Sequence, residues 1–409
     1  MNLESKLAIL ADAAKYDASC ASSGAVKKNS RDGKGVGSTE GAGICHSYAP
    51  DGRCISLLKI LLTNRCIYDC HFCINRRSSN VPRAGFTVEE AVKLTLDFYK
   101  RNYIEGLFLS SGIIRNADHT MEQVNAVART LREVHDFRGY IHLKTIPEAS
   151  PGLIEEAARY ADRISINLEL PNQDSLNRLA PEKNLTRTKQ AMGHIRHRLE
   201  IAEDRRKDGD RKLRHATGQS TQVIIGADAS SDADFLGRSD ELYRAYRMRR
   251  VYYSAFSPIP DSSGVLPLKS PPLIREHRLY QADWLMRHYG FRTSEIANAD
   301  NPNLDLDIDP KLSWALRNRH EFPVDVHTAT RGTLLRVPGL GVKNVERILS
   351  IRRYTRIRLA DLARLRVPLQ KVRPFLILDD HKPSALLLDS DQLRSRLAPP
   401  PEQLELFTR

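Results

Sequence analysis

The residues with the clearest chemical potential are cysteines, and all six lie within the first 73 of the 409 residues. They are Cys20, Cys45, Cys54, Cys66, Cys70 and Cys73. The last three form a C-x3-C-x2-C sequence directly after an apolar run at 55–62. Three thiolates on one tight loop can hold three irons of a 4Fe–4S cluster, which leaves the fourth iron open to a substrate or cofactor. An open coordination position is typical of a reactive metal centre.

Two other uses of this loop are less consistent with its spacing. A structural zinc site usually takes two pairs of ligands, and the sequence has no second C-x2-C pair. Thiols that bind no metal would not need this arrangement. The pattern therefore favours the cluster.

The remaining cysteines cannot all join the same centre. A strand of about eight residues rises roughly 26 Å, so Cys54 and Cys66 lie at opposite ends of the 55–62 run. Cys20, Cys45 and Cys54, with His46, are candidates for a second iron–sulfur cluster or a zinc ion. Their irregular spacing in a loose loop favours thiols without a metal, and both interpretations stay open.

The elements that position the cysteine loop are predicted from alternating apolar and amphipathic segments. Apolar runs lie at 55–62, 106–109, 140–143, 163–168, 221–225 and 251–256. Helical patterns lie between them at 88–99, 121–134 and 152–160, and the charged 185–218 segment predicts a helix followed by an exposed loop. Six such repeats predict an α/β fold of parallel strands with right-handed crossovers, either a barrel or an open sheet.

The sequence predicts five regions. Residues 1–52 are a cysteine-containing extension with a helix at 3–16 and a glycine-rich loop, and 53–258 form the α/β domain. Residues 259–322 are a linker and helical extension, with a helix at 274–289 and an acidic stretch read as a solvated loop. A compact basic helical module follows at 323–376, and 377–409 form a tail.

Charge and hydropathy limit the classes of partner. The net charge of +13 points to a polyanionic partner. No apolar run approaches the roughly 18 residues of a membrane span, and the N-terminus lacks a signal-peptide pattern. We therefore expect a cytoplasmic protein without a membrane partner, in a compartment where thiols stay reduced.

Most of the net positive charge lies near the C-terminus, where residues 331–373 hold twelve basic and two acidic residues. Within this region the sequence 334–345 resembles the helix-hairpin-helix DNA-binding motif. Gly339 and Gly341 permit a sharp turn, and the amides of 341–343 open a helix whose N-terminus suits a DNA phosphate. Lys343 and Arg347 add charge. A second hairpin near 367–369 lacks the glycines and is expected to pack against the first. The alternative is a helical hairpin with a solvated basic face.

The cysteine loop, with Phe72 before the last cysteine, resembles the signature of the radical S-adenosylmethionine (SAM) superfamily. The resemblance implies a partial (β/α)6 barrel with its site at the C-terminal ends of the strands. It also implies that the open iron binds the amino and carboxylate groups of SAM. One electron then cleaves the sulfonium, and a 5′-deoxyadenosyl radical takes a hydrogen atom from the substrate.

The resemblance further implies cofactor-binding positions at other strand ends. These are Ser110, Ser111, Gly112, Lys144, Asn167, Glu169, Ile224 and Gly226. Residues 110–112 stand where the family often has a Gly-Gly-Glu-like segment against the methionine amine, so a backbone or hydroxyl contact has to replace the missing acid. Lys144 is the candidate for the methionine carboxylate. An ordinary polar strand end is the alternative at each position, and no catalytic residue is assigned.

Over most of its length the chain resembles the radical SAM proteins assigned to DNA modification or repair, whose genes are commonly linked to one for a uracil-DNA-glycosylase-like protein. Matching segments include 15–17, 43–47, 51–58, 280–284 and the hairpin. The resemblance implies that DNA is the substrate, with the target base flipped or unpaired. It also implies the glycosylase-like protein and a reductant such as flavodoxin or ferredoxin as partners.

Two other functions stay open. A radical SAM enzyme could modify tRNA, although no fold that reads single-stranded RNA is evident. A non-catalytic iron–sulfur scaffold could bind DNA, although it would not need an open iron.

The tail carries one further motif. After the prolines at 399–401, residues Gln403, Leu404, Leu406 and Phe407 resemble the pentapeptide by which bacterial proteins dock on the DNA sliding clamp. The alternative is a tail that packs against its own domain.

Overall fold

The computed structural model describes residues 1–14, 44–48, 54–210, 214–259, 264–384, 388 and 392–398. Cys20, the glycine-rich loop and the tail motif at 403–407 lie outside these residues. The chain divides into two compact units, one of residues 1–230 and 241–271 and the other of residues 231–240 and 272–409. No helix in the described residues is long and apolar enough to cross a membrane.

The first unit is built on a seven-stranded sheet whose strands lie in chain order. The strands are β1 (Ile44–Tyr48), β2 (Cys54–Leu61), β3 (Gly106–Ser110), β4 (Tyr140–Lys144), β5 (Arg163–Ser165), β6 (Gln219–Ile225) and β7 (Arg250–Ala255). Strands β2 to β7 are parallel, and β1 pairs antiparallel with β2. All six predicted strands are confirmed, whereas β1 was not predicted because no apolar alternation marks it.

Helices follow the parallel strands in the α/β repeat. They are α2 (Val88–Lys100), α3 (Ala117–Arg129), α4 (Pro151–Tyr160), α5 (Gln173–Leu179), α6 (Leu185–Lys207) and α7 (Asp232–Tyr246), whereas α1 (Leu3–Ala13) precedes the sheet. The helix predicted at 121–134 is α3, which continues as a π-helical turn at Thr130–Val134. Helix α2 begins with a capping box in which Thr87 and Glu90 satisfy each other's backbone amides.

The strand order explains the shape of the first unit. Crossovers between parallel neighbours are almost always right-handed, so six strands in sequential order place their helices on one face. The sheet then curls into an open α/β half-barrel around the opposite face. Every residue of β3 is buried, as expected for strands covered on both sides. The carboxyl ends of the strands meet at one edge of this half-barrel.

The second unit is mainly helical. Its helices are α8 (Leu273–Tyr289), α9 (Thr293–Ile296), α10 (Pro310–Arg317), α11 (Arg331–Arg336), α12 (Val342–Ile351), α13 (Leu359–Arg364), α14 (Leu369–Val372) and α15 (Gln392–Leu397). Two short parallel strands, β8 (Val324–Asp325) and β9 (Leu376–Ile377), precede α11 and follow α14 and pair with each other.

The acidic stretch of the second unit is more ordered than the predicted solvated loop. Asp309 caps the N-terminus of α10 by accepting from the backbone amide of Leu312. Asp305 and Asp307 both pair with Arg394 of α15. The carboxylates therefore serve a helix cap and an ion-pair network.

Candidate functional site

The cysteine loop follows β2 and is fixed to neighbouring elements by backbone hydrogen bonds. Ile67 donates to the carbonyl of Ile113 at 2.8 Å, and His71 donates to the carbonyl of Leu179 at 2.8 Å. The amide of Ile113 also donates to the sulfur of Cys66 at 3.4 Å. The loop is thus held against the end of β3 and the end of α5, and it does not project freely into solvent.

One cavity of the first unit brings the three cysteines together with the carboxyl ends of the strands. The predicted residues that line it are Cys66, Cys70, Cys73, Ser110, Ser111, Gly112, Lys144, Asn167, Glu169 and Ile224. The lining also includes Tyr68, Asn75, Glu148, Lys183 and Gln222, which the sequence did not indicate. Gly226 is not part of the lining. Its φ of +76° and the 2.7 Å approach of a Cβ to Pro271 explain the glycine at that position.

A buried ion pair lies in this cavity. Lys183 Nζ donates to Glu169 Oε1 at 2.5 Å, with the lysine side chain 17% exposed and the glutamate 9% exposed. Asn167 donates to the other oxygen of Glu169 at 3.3 Å. Burial alone would lower the pKa of Lys183, but the nearby Glu169 carboxylate raises it above its usual range. Lys183 therefore carries its charge at neutral pH.

Glu148 provides an unpaired acceptor in the same cavity. Both of its carboxylate oxygens are buried, and within the described residues neither accepts a hydrogen bond from another side chain. Burial raises the pKa of Glu148, although Lys183 and Arg187 oppose the shift. The hydroxyl of Ser110, at the end of β3, is likewise buried without a partner among the described residues. Buried polar atoms are normally paired, so these three oxygens mark positions where a ligand can donate hydrogen bonds.

The thiols of Cys70 and Cys73 keep their protons at neutral pH in the metal-free protein. Burial raises the pKa of Cys73 to about 11 and raises that of Cys70 above its usual range. Burial and Glu148 also raise the pKa of Tyr68 to about 12, so its phenol keeps its proton. Metal binding displaces protons from such thiols. Within the described residues, no three His, Cys, Asp or Glu side chains meet as a single metal ion would require. A 4Fe–4S cluster has no such requirement, because each thiolate binds a different iron.

The candidate second metal site gains no support from the described residues. Cys45 is buried in an apolar cluster with Ile55, Leu57 and Phe108. On the β1–β2 hairpin, Cys45 pairs with Leu57 while Cys54 pairs with Tyr48, three residues further along the ladder. The two cysteine backbones therefore lie about 10 Å apart. Cys20 and the side chain of Cys54 lie outside the described part of the chain.

The predicted hairpin of the second unit consists of α11, a turn at 337–341 and α12. Gly339 has a φ of +84°, and a Cβ on it would lie 3.0 to 3.2 Å from Val372, Lys371 and Pro368. Helix α14 and the proline before it thus pack directly against the turn, and the positive φ favours glycine there. The amide of Gly341 opens α12, and its carbonyl accepts from Val345 at 2.9 Å.

A buried lysine supports this turn, which the sequence did not indicate. Lys311 Nζ donates to the carbonyl of Leu340 at 2.6 Å and lies 4.7 Å from the centre of the Tyr289 ring. Burial lowers the pKa of Lys311 to about 7, against a smaller opposing effect of Asp309. The hydrogen bond from Lys311 to Leu340 therefore stabilises the backbone of the turn.

The basic residues of the hairpin region serve two different purposes. Arg336 pairs with Glu295 and lies over the rings of Phe291 and Trp314, and Arg352 donates to buried backbone carbonyls. Lys343 and Arg347 are exposed and have no ion pair within the described part of the chain. The basic residues of this region thus fall into two groups. Arg336 and Arg352 make contacts within the fold, whereas Lys343 and Arg347 are exposed at the surface.

Parts of this chain are similar to solved structures of known proteins. The X-ray structure of the FeFe-hydrogenase maturase HydG from Carboxydothermus hydrogenoformans is 15% identical, with a TM-score of 0.42 over 55% of this chain and 50% of that chain. A radical SAM methyltransferase from Sphaerobacter thermophilus is 14% identical, with a TM-score of 0.38 over 63% of this chain and 72% of that one. The chain spans about half the length of the HydG structures it matches. Scores this low carry no argument about activity. No curated protein matches the sequence.

The domain and the chemistry of the cavity agree with each other. Three cysteine thiols, a buried ammonium and unpaired buried acceptors fit an iron–sulfur cluster together with a ligand that has both a carboxylate and an amino group. The family model described as Radical SAM superfamily matches residues 60–202, which include the cysteine loop and both Lys183 and Glu148. Residues 60–202 of the half-barrel therefore form a radical SAM superfamily domain.

Proposed function

We propose that this protein is a radical SAM enzyme that modifies or repairs DNA. The observation that carries the proposal is the cavity in which Cys66, Cys70 and Cys73 lie beside the polar ends of the parallel strands. When bound, a 4Fe–4S cluster and SAM supply a 5′-deoxyadenosyl radical that can take a hydrogen atom from a substrate. The residues of the chain bind and orient these groups and keep water away from them.

The cavity suggests which residues hold the amino-acid end of SAM. Lys183 is a buried cation and can bind the carboxylate, a role that the resemblance gave to Lys144. The carboxylate of Glu148 and the Ser110 hydroxyl have no hydrogen-bond partner in the described part of the chain and can accept hydrogen bonds from the amino group. Glu148 thereby supplies the acid that is missing from the 110–112 segment. Asn167, Glu169, Ile224 and Gln222 line the remaining wall, where the ribose and adenine can lie.

The proposal that DNA is the substrate depends on the second unit. The α11–α12 hairpin presents the N-terminus of a ten-residue helix beside two exposed cations, Lys343 and Arg347. Backbone amides at a helix N-terminus bind phosphate well, and such contacts position a duplex without reading its sequence. A positive net charge of the whole chain agrees with this role.

The test is SAM cleavage by the anaerobically reconstituted and reduced protein, with duplex DNA, tRNA or no nucleic acid added. We expect 5′-deoxyadenosine to form, and to form faster with DNA than with tRNA. SAM cleavage that is stimulated by tRNA and not by DNA would indicate that the substrate is RNA. An intact cluster that never cleaves SAM would instead indicate an iron–sulfur scaffold.

Partners of this enzyme are part of the same proposal. A low-potential donor such as flavodoxin or ferredoxin would reduce the cluster, and the uracil-DNA-glycosylase-like protein would act on the same DNA. We also propose that the tail motif at 403–407 binds the sliding clamp, which would raise the local concentration of a sequence-blind enzyme on DNA. A peptide of residues 398–409 should bind the clamp, and replacement of Leu406 and Phe407 by Ala should abolish that binding.

A further inference from the structure

Tyr354 is the most exposed aromatic residue in the described part of the chain, with 87% of its surface accessible. It lies just beyond the C-terminus of α12, in the segment 352–358. That segment contains four arginines and no acidic residue. An isolated exposed apolar side chain needs no explanation, but an exposed ring among arginines is the arrangement that stacks on nucleobases.

The segment is held firmly although the ring is exposed. On one side of Tyr354, Arg352 donates to the carbonyls of Val326 and Ala329 at 3.0 and 2.7 Å. On the other side, Ile357 is 1% exposed and its amide donates to His327 Nε2 at 2.9 Å. The backbone is thus fixed on both sides of the ring. A ligand that stacks on Tyr354 would not have to order a flexible loop first.

The charges around the ring favour a polyanion. Arg356 and Arg358 are 79% and 64% exposed and share one carboxylate, that of Asp379, at 3.6 and 3.0 Å. Arg353 is exposed and has no ion pair within the described residues. Exposed ion pairs contribute little and are easily exchanged. The surface around Tyr354 is therefore positively charged and open to phosphates.

The position of the ring relative to the hairpin turn suggests its target. Helix α12 has ten residues and so is about 15 Å long. Its N-terminus would hold a phosphate of the duplex, and Tyr354 lies beyond its other end. A DNA strand that runs alongside α12 would cover this length in four or five base steps of about 3.4 Å each. The ring can then contact the same DNA a few nucleotides away from the anchored phosphate.

We propose that Tyr354, with Arg353 and Arg356, stacks on an unpaired base next to the duplex that the hairpin binds. This inference rests on the proposed DNA binding by the hairpin and deepens it, because it names DNA with a locally unpaired base as the preferred substrate. Base–aromatic stacking contributes enough to change affinity by roughly five- to a hundredfold per base. A fully paired duplex would gain nothing from the ring.

The test compares two labelled DNAs at one salt concentration, a blunt duplex and the same duplex with a single-stranded overhang. We expect the full-length protein to bind the overhang DNA at least about fivefold more tightly. Tyr354→Ala should remove this preference and leave blunt-duplex affinity unchanged, while Tyr354→Phe should keep it. Tyr103, a half-exposed ring of the first unit, provides the control, since Tyr103→Ala should change neither affinity.

A second measurement reports the contact itself. The fluorescence of Tyr354→Trp should be quenched by overhang DNA and not by the blunt duplex. Equal wild-type affinity for the two DNAs, or no effect of Tyr354→Ala on either, would overturn the inference and leave hairpin binding intact. A wild-type protein that binds neither DNA would overturn both the inference and the proposed DNA binding.

Discussion

The cavity of the half-barrel and the hairpin of the second unit differ in how far their charged side chains are exposed to solvent. In the cavity, Lys183 and Glu169 form a largely buried ion pair, and the buried carboxylate oxygens of Glu148 have no hydrogen-bond partner among the described residues. On the hairpin, Lys343 and Arg347 are exposed. Radical chemistry needs a dry, preorganised site, whereas duplex binding needs cations that phosphates can reach. This difference in exposure is what the proposed function requires of a radical site and of a DNA-docking surface.

The largest expected effect is on the metal centre of the cavity. Cys70→Ala should abolish both cluster assembly and SAM cleavage, because the thiolate binds one of the irons. Iron content after anaerobic reconstitution and 5′-deoxyadenosine formation are the measurements. Cys45→Ala removes an equally buried thiol from an apolar cluster and should leave both unchanged. Cleavage retained in Cys70→Ala would contradict the assignment, and iron lost in Cys45→Ala would point to a second metal.

The carboxylate of Glu148 predicts an effect on SAM binding that can be measured in the absence of turnover. Glu148→Gln should weaken SAM binding to the oxidised, cluster-loaded protein about tenfold, because a charge-assisted hydrogen bond becomes a neutral one. Equilibrium binding of labelled SAM measures this effect. Lys144→Met, which alters the residue indicated by the resemblance, should weaken binding less than Lys183→Met does. A larger loss of binding in Lys144→Met than in Lys183→Met would indicate that Lys144 binds the carboxylate of SAM.

The exposed charges of the hairpin predict a sequence-independent loss. Replacing Lys343 and Arg347 with Glu should weaken binding to every duplex alike, by about tenfold or more at physiological salt. The slope of log affinity against log salt concentration should become shallower by roughly two. Each phosphate contact that the variant no longer makes leaves about one counterion on the DNA. Lys93→Glu on α2, also an exposed lysine, is the control. A loss confined to one DNA sequence would mean that these residues read bases.

The smallest expected effect concerns Lys311 beneath the hairpin turn. Its pKa is about 7 in the folded protein, against an ordinary value of 10.5. Between these values the unfolded chain binds the extra proton, so stability should rise with pH by about 1 kcal/mol per pH unit. Lys311→Met should flatten this part of the profile. The difference in thermal unfolding between wild type and variant, measured from pH 7 to pH 9, tests it, and parallel profiles would show that Lys311 is not the source.

The sequence predicted the elements but only part of each site. The cysteine loop and the six parallel strands follow from local spacing and apolar runs, because each signal lies within about ten residues. Lys183 and Glu148 lie in connections far from the cysteines in sequence, and only the fold brings them into the cavity. Lys311 was missed because it lies outside the hairpin sequence, and Tyr354 because exposure cannot be inferred from residue type. Strand β1 carries no apolar alternation that would have marked it.

The central claim is that a radical formed in the cavity acts on DNA. The most direct measurement is deuterium transfer from labelled duplex DNA, with a locally unpaired region, into 5′-deoxyadenosine under anaerobic reduction. The account predicts deuterium in the 5′-deoxyadenosine formed by the wild type and no 5′-deoxyadenosine from Cys70→Ala. Cleavage of SAM that proceeds equally with and without DNA, and yields no deuterated product, would contradict it.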